Sequence, residues 1–362
     1  MADAFLTSYY SLYFIHRGMD SMQQAILLAV IPFSLFLGCM ALSWLAKTRR
    51  RALWIFRGCT LIEAGFVIGY AFLSDYASLL AFTAVLGFFN GAPFALIEGY
   101  IVPELKAKGG NYSTVRMFGS LGYIVSLAIG YFFLGSFPLE YCYFLSGGFF
   151  LTALGLSFLL RESRADPLEQ APEEPEEAPA KGKFITRALV LFWLSQFFFY
   201  GAFNTSSYLL PVRLKELGFL DQDYSLARSV AVVVELLFLL LIPWVCKNFR
   251  HRKSPLFISA CFIVFATSIA AFSQNPWVLG YTNLVLSHMG KAFLFAFQAI
   301  WLETIVGKQA LGKALTVNTG AINLSSAVLN FSSGPLHQLW GFQGYFRIAH
   351  GFGGRGGRLA VL

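Results

Sequence analysis

The stretch from Asn90 to Ser126 reads NGAPFALIEGYIVPELKAKGGNYSTVRMFGSLGYIVS. It contains an apolar segment with Glu98, a short polar turn, and a second apolar segment with Arg116. Apolar segments of about 20 residues are long enough to cross a bilayer as helices. A charge inside such a helix costs at least ~2.5 kcal/mol on insertion scales, so it usually faces a partner, a cavity or a solute. The stretch therefore predicts two neighbouring membrane helices with a charge pair between them.

Similar apolar segments recur along the whole chain. The 362 residues are 57% hydrophobic and only 13% charged, whereas a soluble protein is about 25% charged. This composition predicts an all-α polytopic membrane protein that contacts lipid. The net charge of +8 lies in short clusters between the apolar segments, so we expect no nucleic-acid partner. The five cysteines have no metal-type spacing, and no nucleotide-binding loop or nucleophile motif is present, so we expect no cofactor, no metal and no enzyme activity.

A segment of different composition divides the chain near its middle. Residues 161–187 include PLEQAPEEPEEAPAKGK, which has too little apolar surface to fold and predicts a solvated acidic linker. We expect a membrane half of six helices at 1–160 and a second half at 188–348, in which the first helix covers about 188–211. Most Lys and Arg residues lie in every second loop, so the positive-inside rule places the linker in the cytoplasm and the protein in the cell membrane.

Both ends of this plan are atypical. The apolar run at residues 4–13 is too short to span a membrane, and the sequence from Gly341 to Leu362 predicts no apolar helix. We therefore expect a partial helix 1, no helix 12, and a Gly- and Arg-rich tail at 349–362. A chain truncated at both ends would explain this pattern.

Two membrane halves joined by a cytoplasmic linker resemble the major facilitator superfamily. Tyr112–Tyr123 (YSTVRMFGSLGY) is similar to the helix 5 signature of its branch of lactose permeases, nucleoside symporters and phenylpropionate permeases. The helix 8 segment VVVELLF, centred on Glu235, and the helix 10 segment SHMGKAF, with His288, resemble segments of the same branch. The sequence departs from that branch at Lys291, where the lactose permease has a carboxylate that takes part in proton coupling.

The resemblance implies a secondary transporter that moves a small polar organic solute, such as a sugar, nucleoside or aromatic acid, by alternating access and proton symport. In the lactose permease the pair that matches Glu98 and Arg116 binds sugar at the same spacing. The resemblance also implies a monomer. Two other functions stay open from the residues: an efflux transporter of drugs or metabolites, and a non-transporting sensor or assembly protein on the same fold.

Each candidate residue has a functional and a structural interpretation. Glu98 and Arg116 form either a solute clamp or a structural ion pair, and Glu98 is also a candidate for proton coupling. Glu235 is the main candidate for proton coupling, and His288 and Lys291 are candidates for solute binding; all three are alternatively a structural lock between two helices.

Four further polar residues lie in apolar segments. Asn90, Asn204 and Tyr208 are candidates for hydrogen bonds to the solute, or for interhelical hydrogen bonds. Glu63, in the middle of the third predicted helix, is interpreted as structural or interfacial.

Overall fold

A computed structural model of the chain describes residues 1–46, 48–93, 96–97, 112–160, 186–248 and 254–361. At residues 112–117, which include Arg116, it describes the helix backbone but not the side chains. The chain divides into two compact units, residues 1–172 and 173–362.

The first unit is a bundle of helices that begins with two short ones. Its helices are α1 (Ala2–Thr7), α2 (Tyr10–His16), α3 (Ser21–Leu45), α4 (Arg49–Tyr70), α5 (Tyr76–Asn90), α6 (Tyr112–Leu134) and α7 (Glu140–Ser157). The main packing contacts join α3 to α5, α4 to α7, and α1 to α7. The N-terminal segment is thus part of the bundle.

The second unit contains longer helical segments. They are α8 (Arg187–Glu216), α9 (Asp221–Asn248), α10 (Ser254–Phe272), the π-helix π1 (Val278–Asn283) and α11 (Leu284–Val361). The α11 segment is not straight, because Asn318 Nδ2 donates to Gln298 Oε1 at 3.3 Å, and a straight helix would separate two residues at this spacing by about 30 Å. It packs on α8, α9 and α10.

The predicted all-helical membrane fold is confirmed. Among the described residues, 4 helices are long and apolar enough to cross a membrane, namely Ser21–Leu45, Arg50–Tyr70, Arg187–Glu216 and Asp221–Leu241. Tyr76–Asn90, Phe118–Leu134 and Phe257–Phe272 are shorter apolar helices. The first helix of the second unit continues past its predicted end at 211, with Pro211 inside it, and ends at Glu216.

Aromatic packing explains why the short N-terminal segment folds. The rings of Tyr13, Tyr70 and Tyr143 lie 4.8–5.3 Å apart by centroid, and the Tyr13 hydroxyl donates to the carbonyls of Tyr70 and Leu73. Arg17 donates to the Ala71 carbonyl at 2.8 Å. These bonds satisfy carbonyl groups that the end of α4 leaves without helical partners. The segment is therefore an anchored part of the core, although it is too short to span a membrane.

The helices α3 and α5 approach each other closely through glycines. A Cβ atom at Gly38 would overlap the backbone carbonyl of Phe88, and one at Gly91 would overlap that of Leu35. Small residues allow helix backbones in a membrane to pack at short distance. These two positions fix α5, and with it Asn90 at its end, against α3.

Each unit ends its first helical stretch with the same type of turn. Gly18 and Gly218 both have a left-handed backbone, with φ of 73° and 80°. In both turns the residue after the glycine donates its N–H to the carbonyl five residues earlier, as in a Schellman cap. Asp20 and Asp221 then lie at the start of the next helix. The two units thus share a local repeat.

The segment after Gly341, for which the sequence predicts no apolar helix, nevertheless has a helical backbone. Gly341 has a φ of 64°, and the helical backbone continues after it to Val361. Tyr345 and Phe346 are buried, and His350 Nδ1 lies 3.0 Å from Ser268 Oγ in α10. Packing against α10 therefore offsets the weak helix propensity of the glycines, which is about 1 kcal/mol per residue relative to alanine.

Candidate functional site

Among the described residues of the second unit, Glu235, His288 and Lys291 form a cluster of charged groups, which we call the Glu235 cluster. Glu235 lies in α9, and the other two lie in the first turns of α11. The spacing of three residues places His288 and Lys291 on one helix face. The π-helix directly precedes them, and π-helical turns are frequent at functional sites.

Both basic groups bind the same carboxylate oxygen. His288 Nδ1 lies 2.5 Å from Glu235 Oε2, and Lys291 Nζ donates to this oxygen at 3.2 Å. No described residue donates to the second oxygen, Oε1. The histidine is buried, and the lysine side chain keeps 27% of its surface exposed. The structure thus brings the three predicted residues together and leaves Oε1 without a hydrogen bond from a described residue.

Aromatic rings of α8 form one side of the Glu235 cluster. The ring of Phe203 lies 6.0 Å from that of His288 in an edge-on arrangement, and Lys291 Nζ lies 5.8 Å from its centroid. Tyr200, one turn earlier, lies within electrostatic reach of Glu235. Its hydroxyl is buried and has no hydrogen bond from a described residue. The site thus combines a charged group with flat aromatic surface.

Two more polar side chains were missed by the sequence analysis. Gln196 is fully buried, and neither atom of its carboxamide has a hydrogen-bond partner among the described residues. Arg228 lies within electrostatic reach of His288 and donates to the Tyr224 hydroxyl. The sequence spacing could have indicated both residues. Gln196 and Tyr200 are four residues apart and Arg228 precedes Glu235 by seven, and these spacings place each pair on one helix face.

The predicted residues Asn204 and Tyr208 have protein partners. Asn204 Nδ2 donates to Ser326 Oγ at 2.6 Å and so joins α8 to α11. Tyr208 also has an interaction within the protein. For Asn204 this is the interhelical bond that the sequence analysis named as the alternative to solute binding.

The predicted pair in the first unit is only partly covered by the structure. Glu98 lies outside the described residues, and Arg116 lies in α6 with its side chain undescribed. Asn90, the last residue of α5, donates from Nδ2 to Asp3 Oδ1 at 2.9 Å. The Glu98–Arg116 clamp stays a prediction.

A sequence model of the MFS_1-like family matches residues 4–348. The chain belongs to this family. The family is one of major facilitator transporters, so the chain is a multi-pass membrane protein that transports a small solute and is not an enzyme. The resemblance to the major facilitator superfamily is thereby confirmed.

Solved structures of MFS transporters share the fold. The nucleoside transporter NupG is similar with a TM-score of 0.78 and 16% identity, over 99% of this chain and 93% of that one, and a mutant of NupG gives a TM-score of 0.79 at 15% identity, over 99% and 94%. A bacterial homolog of the human lysosomal transporter Spinster, in an inward-facing and unoccupied conformation, gives 0.67 at 13% identity, over 99% and 90%. Among curated proteins, no sequence match is found. At these identities the structures support the fold only.

Proposed function

We propose that this MFS_1-like protein is a proton-coupled symporter for a small polar organic solute with a flat ring, and that a nucleoside is the first substrate to test. The Glu235 cluster carries the proposal. It offers an unoccupied carboxylate oxygen, Oε1, beside the ring of Phe203 and the unbonded hydroxyl of Tyr200. A sugar or ribose hydroxyl can donate to the carboxylate, and a base can stack on an aromatic ring.

The pairing of Glu235 suggests how binding and protonation are linked. A carboxylate that accepts hydrogen bonds from two basic groups is held in its ionised form. It can therefore take a proton only when the contact with Lys291 is broken. We propose that the solute displaces Lys291 from Oε2, after which Glu235 accepts the proton that accompanies the solute. In this scheme Lys291, at the position where the lactose permease has a carboxylate, is the internal counter-charge of Glu235 in the empty state.

The tautomer of His288 follows from the same geometry. When Glu235 is ionised, the short contact places a proton on Nδ1, which donates to Oε2. The other ring nitrogen, Nε2, is then an acceptor in the neutral ring. His288 thus orients the carboxylate and moves no charge in the empty state.

The proposal is tested by a solute screen in proteoliposomes. Purified protein is reconstituted, an inward proton gradient is imposed, and uptake of labelled uridine, lactose and phenylpropionate is compared. We expect uptake of one of the three, and we expect Glu235→Gln to abolish its stimulation by the gradient. Uptake driven by an outward proton gradient, in which the solute moves against the proton flow as in an antiporter, would favour the alternative function of export. Thermal stabilisation by a solute without any flux would favour the non-transporting sensor.

A matched control separates the role of the cluster from a loss of folding. The ion pair between Lys215 and Asp221, with an N–O distance of 2.7 Å, lies in the same unit at the turn between α8 and α9. We expect Lys215→Met to keep the uptake of the wild type. Equal losses of uptake in Lys215→Met and Glu235→Gln would contradict a specific function of the Glu235 cluster.

A further inference from the structure

A second group of carboxyl side chains lies in the first unit. Its members come from helices that are far apart in sequence, so no sequence pattern reveals their contact. Asn90 Nδ2 at the end of α5 donates to Asp3 Oδ1 in α1. Glu63 in α4 lies beside the same carboxamide and within electrostatic reach of Asp3. We call Asp3, Glu63 and Asn90 the Glu63 cluster.

Glu63 is buried without any compensating bond. Its residue surface is only 1% exposed, and neither of its carboxylate oxygens has a hydrogen bond from a described residue. The Asn90 side chain lies close enough to interact with Glu63, but neither oxygen of Glu63 accepts a hydrogen bond of normal geometry from it. Burying an ionised carboxylate in this way costs several kcal/mol. The free oxygens therefore favour a bound proton or another donor.

The described charged groups around Glu63 do not supply that donor. On α4 itself, Cys59 lies one turn earlier, and Arg57 donates to the Ser157 carbonyl at 2.9 Å and lies over the ring of Phe158. The helix α7 packs on α4 close to Glu63 through Gly147. A Cβ atom added at Gly147 would lie against Ile68 and the Ala64 carbonyl, so α7 contributes no polar side chain at this position.

From the other side, α1 contributes Asp3 and the amino group of Met1, which interacts with Asp3. The helix α5 contributes the neutral Asn90. Glu63 therefore has a carboxylate as its charged neighbour across the cluster, which makes a second negative charge there unfavourable.

The arrangement has an outer and an inner carboxyl group. Asp3 is exposed and Asn90 is half-buried, whereas Glu63 is buried beneath them in the middle of α4, roughly 10 Å from its end at Tyr70. No group of three or more His, Cys, Asp or Glu side chains that could hold a metal ion is found in the described part of the chain. A proton suits the site better than a metal ion, because it needs one acceptor and no shell of ligands.

We propose that the Glu63 cluster is an exchangeable proton-binding site, in which Glu63 holds the proton and Asp3 delivers it from solvent. In the transfer, an O–H bond of protonated Asp3 breaks and an O–H bond on Glu63 forms, so that one negative charge moves from Glu63 to Asp3. Protonated Glu63 then donates its O–H toward the Asp3–Asn90 pair, which satisfies the buried oxygen. The binding of a proton at this site is independent of solute, whereas its use in coupling rests on the proposed function.

Infrared spectroscopy of the purified protein tests proton binding directly. We expect the carbonyl stretch of a protonated carboxylic acid near neutral pH, its loss in alkaline buffer, and its absence in Glu63→Gln. Glu140→Gln is the matched control, because Glu140 is paired with Arg17 at 3.4 Å and its replacement should leave the band unchanged. A band that is identical in Glu63→Gln, or that persists in the wild type at every pH, would overturn the proposal.

A second variant keeps the test decisive if Glu63→Gln does not fold. Asp3→Asn removes the neighbouring negative charge, so the band should disappear at a lower pH than in the wild type. An unchanged midpoint in Asp3→Asn would contradict the contact between Asp3 and Glu63 on which the proposal rests. A band that is removed by NaCl but not by choline chloride would assign the site to a metal cation and overturn the proton assignment.

Uptake measurements separate this inference from the proposed function. In proteoliposomes with an inward proton gradient, we expect Glu63→Gln to abolish gradient-driven accumulation of the solute that the wild type takes up, and Glu140→Gln to leave it unchanged. Gradient-driven accumulation that survives in Glu63→Gln would contradict a role of the site in coupling. If the wild type moves no solute while the infrared band titrates as expected, the proposed function fails and the proton site stands.

Discussion

Replacing Glu235 by glutamine should destabilise the protein through the charge that it leaves behind. Lys291 Nζ lies 3.2 Å from Glu235 Oε2, and at an effective dielectric constant of about 20 two such charges attract by about 5 kcal/mol. Desolvation of both groups offsets much of this attraction. Because the lysine is partly exposed, we expect Glu235→Gln to lower the free energy of unfolding by about 2–4 kcal/mol.

The opposite replacement should cost less. In Lys291→Met the carboxylate keeps His288 Nδ1 at 2.5 Å, and the histidine can take up a proton and become the counter-charge. The double variant Glu235→Gln/Lys291→Met should recover most of the stability lost in Glu235→Gln, because no unpaired charge remains. Lys215→Met is the control, since the ion pair of Lys215 with Asp221 lies at the turn between α8 and α9 and not within an apolar helix, and an ion pair near water is worth about 0–1 kcal/mol.

The assay is the apparent melting temperature of the purified variants in detergent, followed by the fluorescence of the seven tryptophans. We expect the order wild type, Lys291→Met and the double variant, then Glu235→Gln as the least stable. Equal losses in the two single variants that add in the double variant would refute the pairing, because uncoupled residues give additive effects.

Three further predictions concern the scaffold of the first unit. Gly38→Ala should lower the free energy of unfolding by about 1–3 kcal/mol, because the added methyl group meets the backbone of α5. Gly65→Ala is the control and should keep the melting temperature, because no neighbouring atom lies within 4 Å of the added methyl group. Equal losses in the two variants would argue against close packing of α3 on α5. Asp75 accepts a hydrogen bond from the Ser78 N–H at 2.7 Å, which holds the pKa of Asp75 below its usual value. The contribution of the Asp75 carboxylate to folding stability is therefore complete above the unfolded-state pKa and lost as the pH falls below about 4. Asp75→Asn should accordingly flatten the acid side of a plot of melting temperature against pH, and parallel curves for variant and wild type would contradict this. Tyr13→Phe removes two hydrogen bonds to carbonyls at the end of α4 and should lower stability by about 1–3 kcal/mol in the same melting assay, whereas an unchanged melting temperature would show that water replaces these bonds.

The sequence predicts the helical fold well where length and hydropathy decide the structure. The helix at Ser21–Leu45 and the one at Tyr112–Leu134 follow directly from their apolar runs. The helix after Gly341 was missed, because its glycines disfavour a helix locally and only packing against α10 overrides them. Burial of the short N-terminal segment was also hidden, since it depends on rings that are distant in sequence, such as Tyr13 and Tyr143.

The sequence predicted the charged residues of the candidate site but not its neutral residues. Glu235, His288 and Lys291 were identified because charged or titratable groups are rare in apolar helices. Tyr200 and Gln196 were missed, because they are uncharged and flank the aromatic run FFF at 197–199.

Geometry also decides the interpretation of Glu63. The sequence shows a carboxyl group in the middle of a helix but cannot show that Asp3 and Asn90 lie beside it. The contact joins residues on α1, α4 and α5, so only the tertiary structure reveals it. Glu63 was accordingly interpreted as structural or interfacial from the sequence.

The central claim is that a proton gradient drives solute uptake through the Glu235 cluster. The most direct measurement is uptake of the labelled solute that the three-solute screen identifies, with uridine tested first, into proteoliposomes with an inward proton gradient, compared with the same vesicles after a protonophore has collapsed the gradient. We predict accumulation in the wild type that the protonophore abolishes, and none in Glu235→Gln. Accumulation that is equal with and without the gradient, or equal in the wild type and Glu235→Gln, would contradict the claim.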